Sequence, residues 1–197
     1  MSSLANRQKQ LLLQVARRAL TLAAERREAL EDFPRDEQLI QPAGAFVTLH
    51  HHRRLRGCVG QLASAVPLVR VVAHCAKAAA LEDPRFEPVH VREVADIEIE
   101  ISVLSDLGAL VPSQVESGKH GLVVSKGEQR GILLPQVAKE YGWTPIRFLE
   151  ETCAKAGLDR NAWQDSATWI QAFTAEIFSE SSLDVEKREE WTGVQGA

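Results

Sequence analysis

The stretch Leu55-Arg56-Gly57-Cys58-Val59-Gly60 sets a thiol between two glycines inside a segment that otherwise has strand composition. A thiolate is the nucleophilic form of cysteine, and a cation two residues away on the same strand face, as Arg56 is to Cys58, favours it. Glycine weakens a strand interior and marks a close approach of ligand or neighbouring backbone, so Gly57 and Gly60 predict that something needs room beside Cys58. The competing reading is a small buried core cysteine, a residue type that favours the interior. His120, in Gly118-Lys119-His120-Gly121, stands at the mouth of an apolar strand and is suited to proton transfer near neutral pH, or is an exposed loop histidine. Glu98 and Glu100 fall on one face of a strand, where two carboxylates share acid–base work, bind a cation or simply meet solvent. Arg85, in Asp83-Pro84-Arg85-Phe86-Glu87-Pro88, either offers its planar fork to a carboxylate or phosphate or pairs with Asp83 to brace the loop. His50, His51 and His52 are adjacent, but without a nearby carboxylate or cysteine in sequence they predict a solvent-facing turn. No metal and no cofactor is expected.

These groups are held by elements that the periodicity outlines. Leu4 to about Leu30 predicts a long helix, with Leu11, Val15 and Leu22 and Leu12, Ala16, Ala19 and Ala23 recurring at three- and four-residue steps. Arg17, Arg18, Arg26 and Arg27 fall largely off that stripe, which predicts a solvated basic face rather than an RNA- or membrane-docking one. Phe33-Pro34 stops the helix. Phe46–Leu49 and Leu55–Leu62 predict a hairpin with His50–Arg54 as its turn. Pro67 opens a second helix to about Leu81, apolar over most of its circumference. Asp96–Leu104 alternates cleanly and predicts a strand with Ile97, Ile99, Ile101 and Val103 inward. Strands follow at Leu122–Val124 and Ile132–Leu134, then helices at Gln136–Tyr141 and from Thr144-Pro145 to Lys155, the second closed by Gly157. Trp169–Phe178 predicts a last strand, and residues 181–197, polar from Asp184 on, predict a disordered tail.

With 197 residues, 45% of them hydrophobic and 25% charged, the chain has the size and balance of one globular domain or two packed lobes. It has no apolar run of the ~18 residues a membrane helix needs and no secretion signal, so no membrane association and a cytoplasmic location are expected. Cys58, Cys75 and Cys153 are too few and too scattered for a disulfide framework or thiolate zinc site. A net charge of −4 argues against a general phosphate-binding surface.

The order Gly44-Ala45-Phe46-Val47-Thr48-Leu49, Leu55-Arg56-Gly57-Cys58-Val59-Gly60, Asp83-Pro84-Arg85-Phe86, Glu98-Ile99-Glu100-Ile101-Ser102-Val103-Leu104, Gly118-Lys119-His120-Gly121 and Leu133-Leu134-Pro135-Gln136-Val137 resembles the AMMECR family, protein A of the AmmeMemoRadiSam system. The likeness runs on through Lys155-Ala156-Gly157-Leu158 to about Glu180. Val59 replaces the family's usual isoleucine, and three histidines stand where a shorter polar turn is expected. The resemblance implies an α+β fold of two intimately packed lobes, a mainly antiparallel sheet flanked by helices, and a cleft faced by the arginine-glycine-cysteine strand. It also implies association with a Memo-like protein and a radical S-adenosylmethionine enzyme.

Two functional readings follow. In the first the chain is an enzyme or enzyme component, with Cys58 as nucleophile, His120 as base and Glu100 as the group that orients it. Arg56 or Arg85 then anchors a small anionic substrate, and Gly57, Gly60 and Lys119 complete the binding surface. In the second the same surface binds a ligand, RNA or protein without chemistry, and Cys58 is structural. The first reading predicts that Cys58 alkylates fastest of the three thiols, with a midpoint below the free-thiol value of about 8.5.

Overall fold

The computed structural model describes residues 3–28 and 30–183, and the chain divides into two compact units. The first is formed by the chain up to Leu104 and again from Glu176 onward, the second by Ser105–Ala175. Strands flanked by helices make up both, so the fold is α+β. Among the described residues no helix is long and apolar enough to cross a membrane.

In the first unit, helix α1 (Asn6–Ala24) buries the predicted Leu12, Val15, Ala16, Ala19 and Ala23 together with Leu13 and Leu20, whereas the predicted Leu11 and Leu22 are half-buried. It ends earlier than the predicted Leu30. Arg26 takes a left-handed backbone (φ 55°), its N–H donates to the Ala23 carbonyl, and the Arg27 N–H donates to the Leu22 carbonyl. This is the double bond of a Schellman stop, with arginine in the place glycine usually holds. Arg17 departs from the predicted solvated face: it is 7% exposed and pairs with Glu180, itself 1% exposed. Its guanidinium also donates to the carbonyls of Val94 and Ile97 at 2.7 Å, and Glu180 accepts the Ile99 N–H at 2.9 Å. The amphipathic pattern placed Arg17 outside because it could not register a carboxylate 163 residues away.

Strands β1 (Ala45–His51) and β2 (Arg54–Gln61) form the hairpin, and β3 (Ile97–Leu104) pairs antiparallel with β1, giving the order β2-β1-β3. The turn is shorter than predicted. Only His52 and Arg53 lie between the strands, both left-handed at φ 49° and 64°, the pattern of a tight type I′ turn. Ala45, Val47, Leu49, Ile97, Ile99, Ile101 and Val103 join α1 and helix α2 (Leu68–Leu81) in one core. Alternation then assigns Thr48, Glu98, Glu100 and Ser102 to the opposite face of the sheet. Ser181–Leu183 form a short turn with Leu183 against this core, and the predicted tail from residue 184 lies outside the described residues.

In the second unit, β5 (His120–Lys126) pairs antiparallel with β6 (Gln129–Leu133) and with β7 (Trp169–Ser179), whose last residues belong to the first unit. A two-residue strand β4 (Gly108–Ala109), too short to leave a pattern in sequence, pairs with β7. Helices α3 (Pro135–Glu140) and α4 (Pro145–Lys155) cover a core of Leu122, Val124, Phe148, Leu149, Cys153, Ile170 and Ala172. Pro145 sits in the first turn of α4, the Thr144 hydroxyl accepts the Arg147 N–H as N-cap, and Gly157 closes the far end at φ 75°.

Candidate functional site

The pairing register brings Cys58, Thr48 and Glu100 into one row across β2, β1 and β3. The Thr48 hydroxyl donates to the Cys58 sulfur at 3.4 Å. Cys58 is half-buried, whereas Cys75 and Cys153 are fully buried.

What fixes Cys58 comes from a loop 25 residues on. β2 is the edge strand of its sheet, and the Cys58 N–H donates to Asp83 Oδ2 at 2.8 Å. The same carboxylate, 5% exposed, accepts the Arg85 N–H at 3.1 Å and the two forks of the Arg85 guanidinium, Nε to Oδ1 at 2.9 Å and Nη2 to Oδ2 at 2.7 Å. The Arg85 fork and the backbone donors hold the Asp83 carboxyl far below the usual carboxylate range. Arg85 thus braces the loop, yet half its side chain remains exposed, over the Phe86 ring. An Asp-Pro dipeptide with an arginine next is the visible trace of this brace in sequence. That its carboxylate also satisfies β2 was not legible.

Burial pushes the Cys58 thiol above its ordinary value; the Thr48 hydrogen bond and the Arg85 charge oppose the shift, while Asp83 and Glu100 add to it. The expected midpoint below the free-thiol value is therefore corrected. The physical reason is that Arg56, the cation invoked for it, turns to Glu93 instead, donating from Nε at 2.9 Å and Nη2 at 3.2 Å, and to the Glu87 carbonyl at 2.9 Å. Burial likewise raises Glu100, against the charge of His50 and with that of Glu98. Glu98 accepts the Ser181 hydroxyl.

The two glycines are explained by packing. A Cβ at Gly57 would collide with the Ala79 carbonyl of α2, and one at Gly60 with the Phe46 ring, whose residue is its partner on β1. The space at Gly57 and Gly60 themselves is taken up by protein.

His120 and Lys119 belong to the second unit. His120 opens β5, its Nδ1 accepting the Glu116 N–H at 3.1 Å, and Lys119 pairs with Glu116 at 2.7 Å. Of the residues singled out, the first unit itself assembles Cys58, Glu100, Arg85, Gly57, Gly60 and Arg56, together with Thr48 and Asp83, which the sequence reading left out of the site.

Residues 13–178 match the AMMECR1 family model. A Pyrococcus furiosus protein is 40% identical over 184 residues, covering 87% of each chain, and one from Aquifex aeolicus is 38% identical over 177 residues, covering 86% of this chain and 91% of its own. The crystal structure of an uncharacterised Pyrococcus horikoshii protein superposes with a TM-score of 0.79 at 38% identity, over 89% of this chain and 92% of that one. With the family model spanning most of its length and relatives this similar over nearly all of theirs, the chain belongs to the AMMECR1 family.

Proposed function

We propose that the sheet face carrying Cys58 is the working site of a cytoplasmic enzyme component that takes a small anionic ligand and acts with a Memo-like protein and a radical S-adenosylmethionine enzyme. The observation that carries this reading is the Asp83 carboxylate. One buried group holds both the backbone of the thiol residue and the guanidinium of Arg85, so a half-exposed cation is kept in fixed relation to a half-buried sulfur. An arginine held by one fork still presents donors for a carboxylate or phosphate. Cys58 rests as the neutral thiol, hydrogen-bonded by Thr48, with Glu100 one strand further along the same row, where its charge acts on the thiol from a distance. The partners are what the AMMECR resemblance implies.

A second reading, a non-catalytic binding module with a structural Cys58, is favoured by the raised thiol and by glycines that packing alone explains. Cys58→Ala separates the two. Combined with the Memo-like and radical enzymes, the variant is expected to keep the melting temperature and partner binding of the parent while losing the product of the assembled system. Full product formation by Cys58→Ala would overturn the enzyme reading and leave the binding module.

A further inference from the structure

The tip of the first hairpin carries a feature that the site above does not use. His51, the last residue of β1, and His52, in the turn, have ring centroids 4.1 Å apart with planes 36° from parallel. Across the sheet His51 is paired with Ile97, so Asp96, the residue before it, comes alongside the turn. One ligand atom from each of His51, His52 and Asp96 lies within 4.8 Å of the others.

The backbone is bent to make this arrangement. The ladder with β2 shifts register between Leu49 and His50, the extra residue being Arg56 on β2. His52 and Arg53 then take left-handed conformations that a type I′ turn normally reserves for asparagine and glycine. A histidine at such a position costs conformational energy, and here it places a second imidazole against the first.

We infer that His51, His52 and Asp96 form a binding site for one late first-row divalent cation of the zinc, cobalt or nickel kind. Two imidazoles and a carboxylate are borderline donors that suit these ions, whereas magnesium and calcium require oxygen-rich sets. Tetrahedral zinc with bonds of about 2.0–2.1 Å spaces its ligand atoms about 3.3 Å apart. The three atoms therefore need to close by at most about 1.5 Å, within the reach of side-chain rotation at a partly exposed tip. His52 and Asp96 are exposed and His51 half-buried, so the remaining coordination positions open to water. Arg53, in the turn, and Arg54, just after it, are exposed. The bound ion would pin the hairpin tip to the start of β3. The carboxylate partner missing from the local sequence is thus supplied by the fold, 44 positions after His52.

Full-length protein without a histidine tag is titrated with cobalt(II), read by its visible d–d absorption, and with zinc(II), read by competition and by melting temperature. One equivalent of cobalt is expected to bind, to be displaced by zinc and not by magnesium, and to raise the melting temperature. Asp96→Asn is expected to weaken binding at least about tenfold. His52→Gly removes a ligand and relieves the left-handed backbone together, so it should match or exceed the parent's metal-free melting temperature while losing the metal-induced rise. His50→Gln, outside the triad, should bind as the parent does. Binding by the parent only in the millimolar range would overturn the site, as would undiminished binding by Asp96→Asn or a loss in His50→Gln as large as in His52→Gly.

Discussion

At Cys58 burial raises the thiol while the neighbouring charges divide, so its chemistry depends on which of them are present. Arg85 favours the thiolate and Glu100 disfavours it. Alkylation of the native protein is expected to reach Cys58 first, because Cys75, raised to about 11, and Cys153 are fully buried. Its rate should rise with pH through a midpoint above the ordinary thiol value. Arg85→Gln should move that midpoint further up and Glu100→Gln should bring it down; a midpoint below the ordinary value in the parent, read by mass spectrometry across pH, would refute the assignment. Glu100 also has its own effect on stability. A carboxyl raised in the folded state binds its proton more tightly there than in the unfolded chain, so it favours folding at low pH and loses that contribution as pH rises from about 4.5. Glu100→Gln should therefore flatten this part of the stability profile in denaturant titrations. Asp83 has the opposite sign: its depressed carboxyl stabilises the fold above the ordinary value of 3.8 and ceases to do so under acid. Asp83→Ala, which strands the Cys58 N–H and the Arg85 fork, should cost about 1–3 kcal/mol at neutral pH.

Between elements, the closest approaches are made where a side chain is missing. Gly57 lets the backbone of α2 settle on β2, and in the second unit Gly131 does the same for α4 on β6, where a Cβ would strike the Thr152 carbonyl and the Ala156 nitrogen. Gly57→Ala is expected to destabilise by about 1–3 kcal/mol, measurable by urea unfolding, because its obstacle is backbone that does not rotate away. An unchanged midpoint would mean that α2 has slack at this point. Such contacts mark the boundary of what the sequence reveals. Alternation at Ile97–Val103, the glycine after Lys155 and the prolines at the helix starts are local signals, and the strands and helices stand where these signals predict them. The end of α1 was not legible, because Arg26 adopts a stop conformation that arginine seldom takes. In the candidate site, Cys58, Arg85 and Glu100 were visible as residue types. Asp83's grip on the edge of β2 was not, since nothing local couples positions 58 and 83.

For the molecule as a whole, the buried Arg17–Glu180 pair joins the first helix to the end of the last strand. Glu180→Ala leaves a buried guanidinium without its counter-charge and should cost about 3–5 kcal/mol; a loss below about 1 kcal/mol would show that the carbonyls of Val94 and Ile97 suffice to hold it. The first unit is also interrupted in sequence, with all of Ser105–Ala175 lying between its two parts. A ribosome working from the amino end therefore delivers α1, the hairpin and β3 early but Glu180 only after the whole second unit has been made. Through that interval Arg17 has no carboxylate from this strand, and nascent chains arrested before residue 180 should be cut by protease within the first unit while the released protein resists. Completion of this early-made part waits on Glu180, so the fold has a built-in order of assembly in which the whole second unit is synthesised before the first is secure.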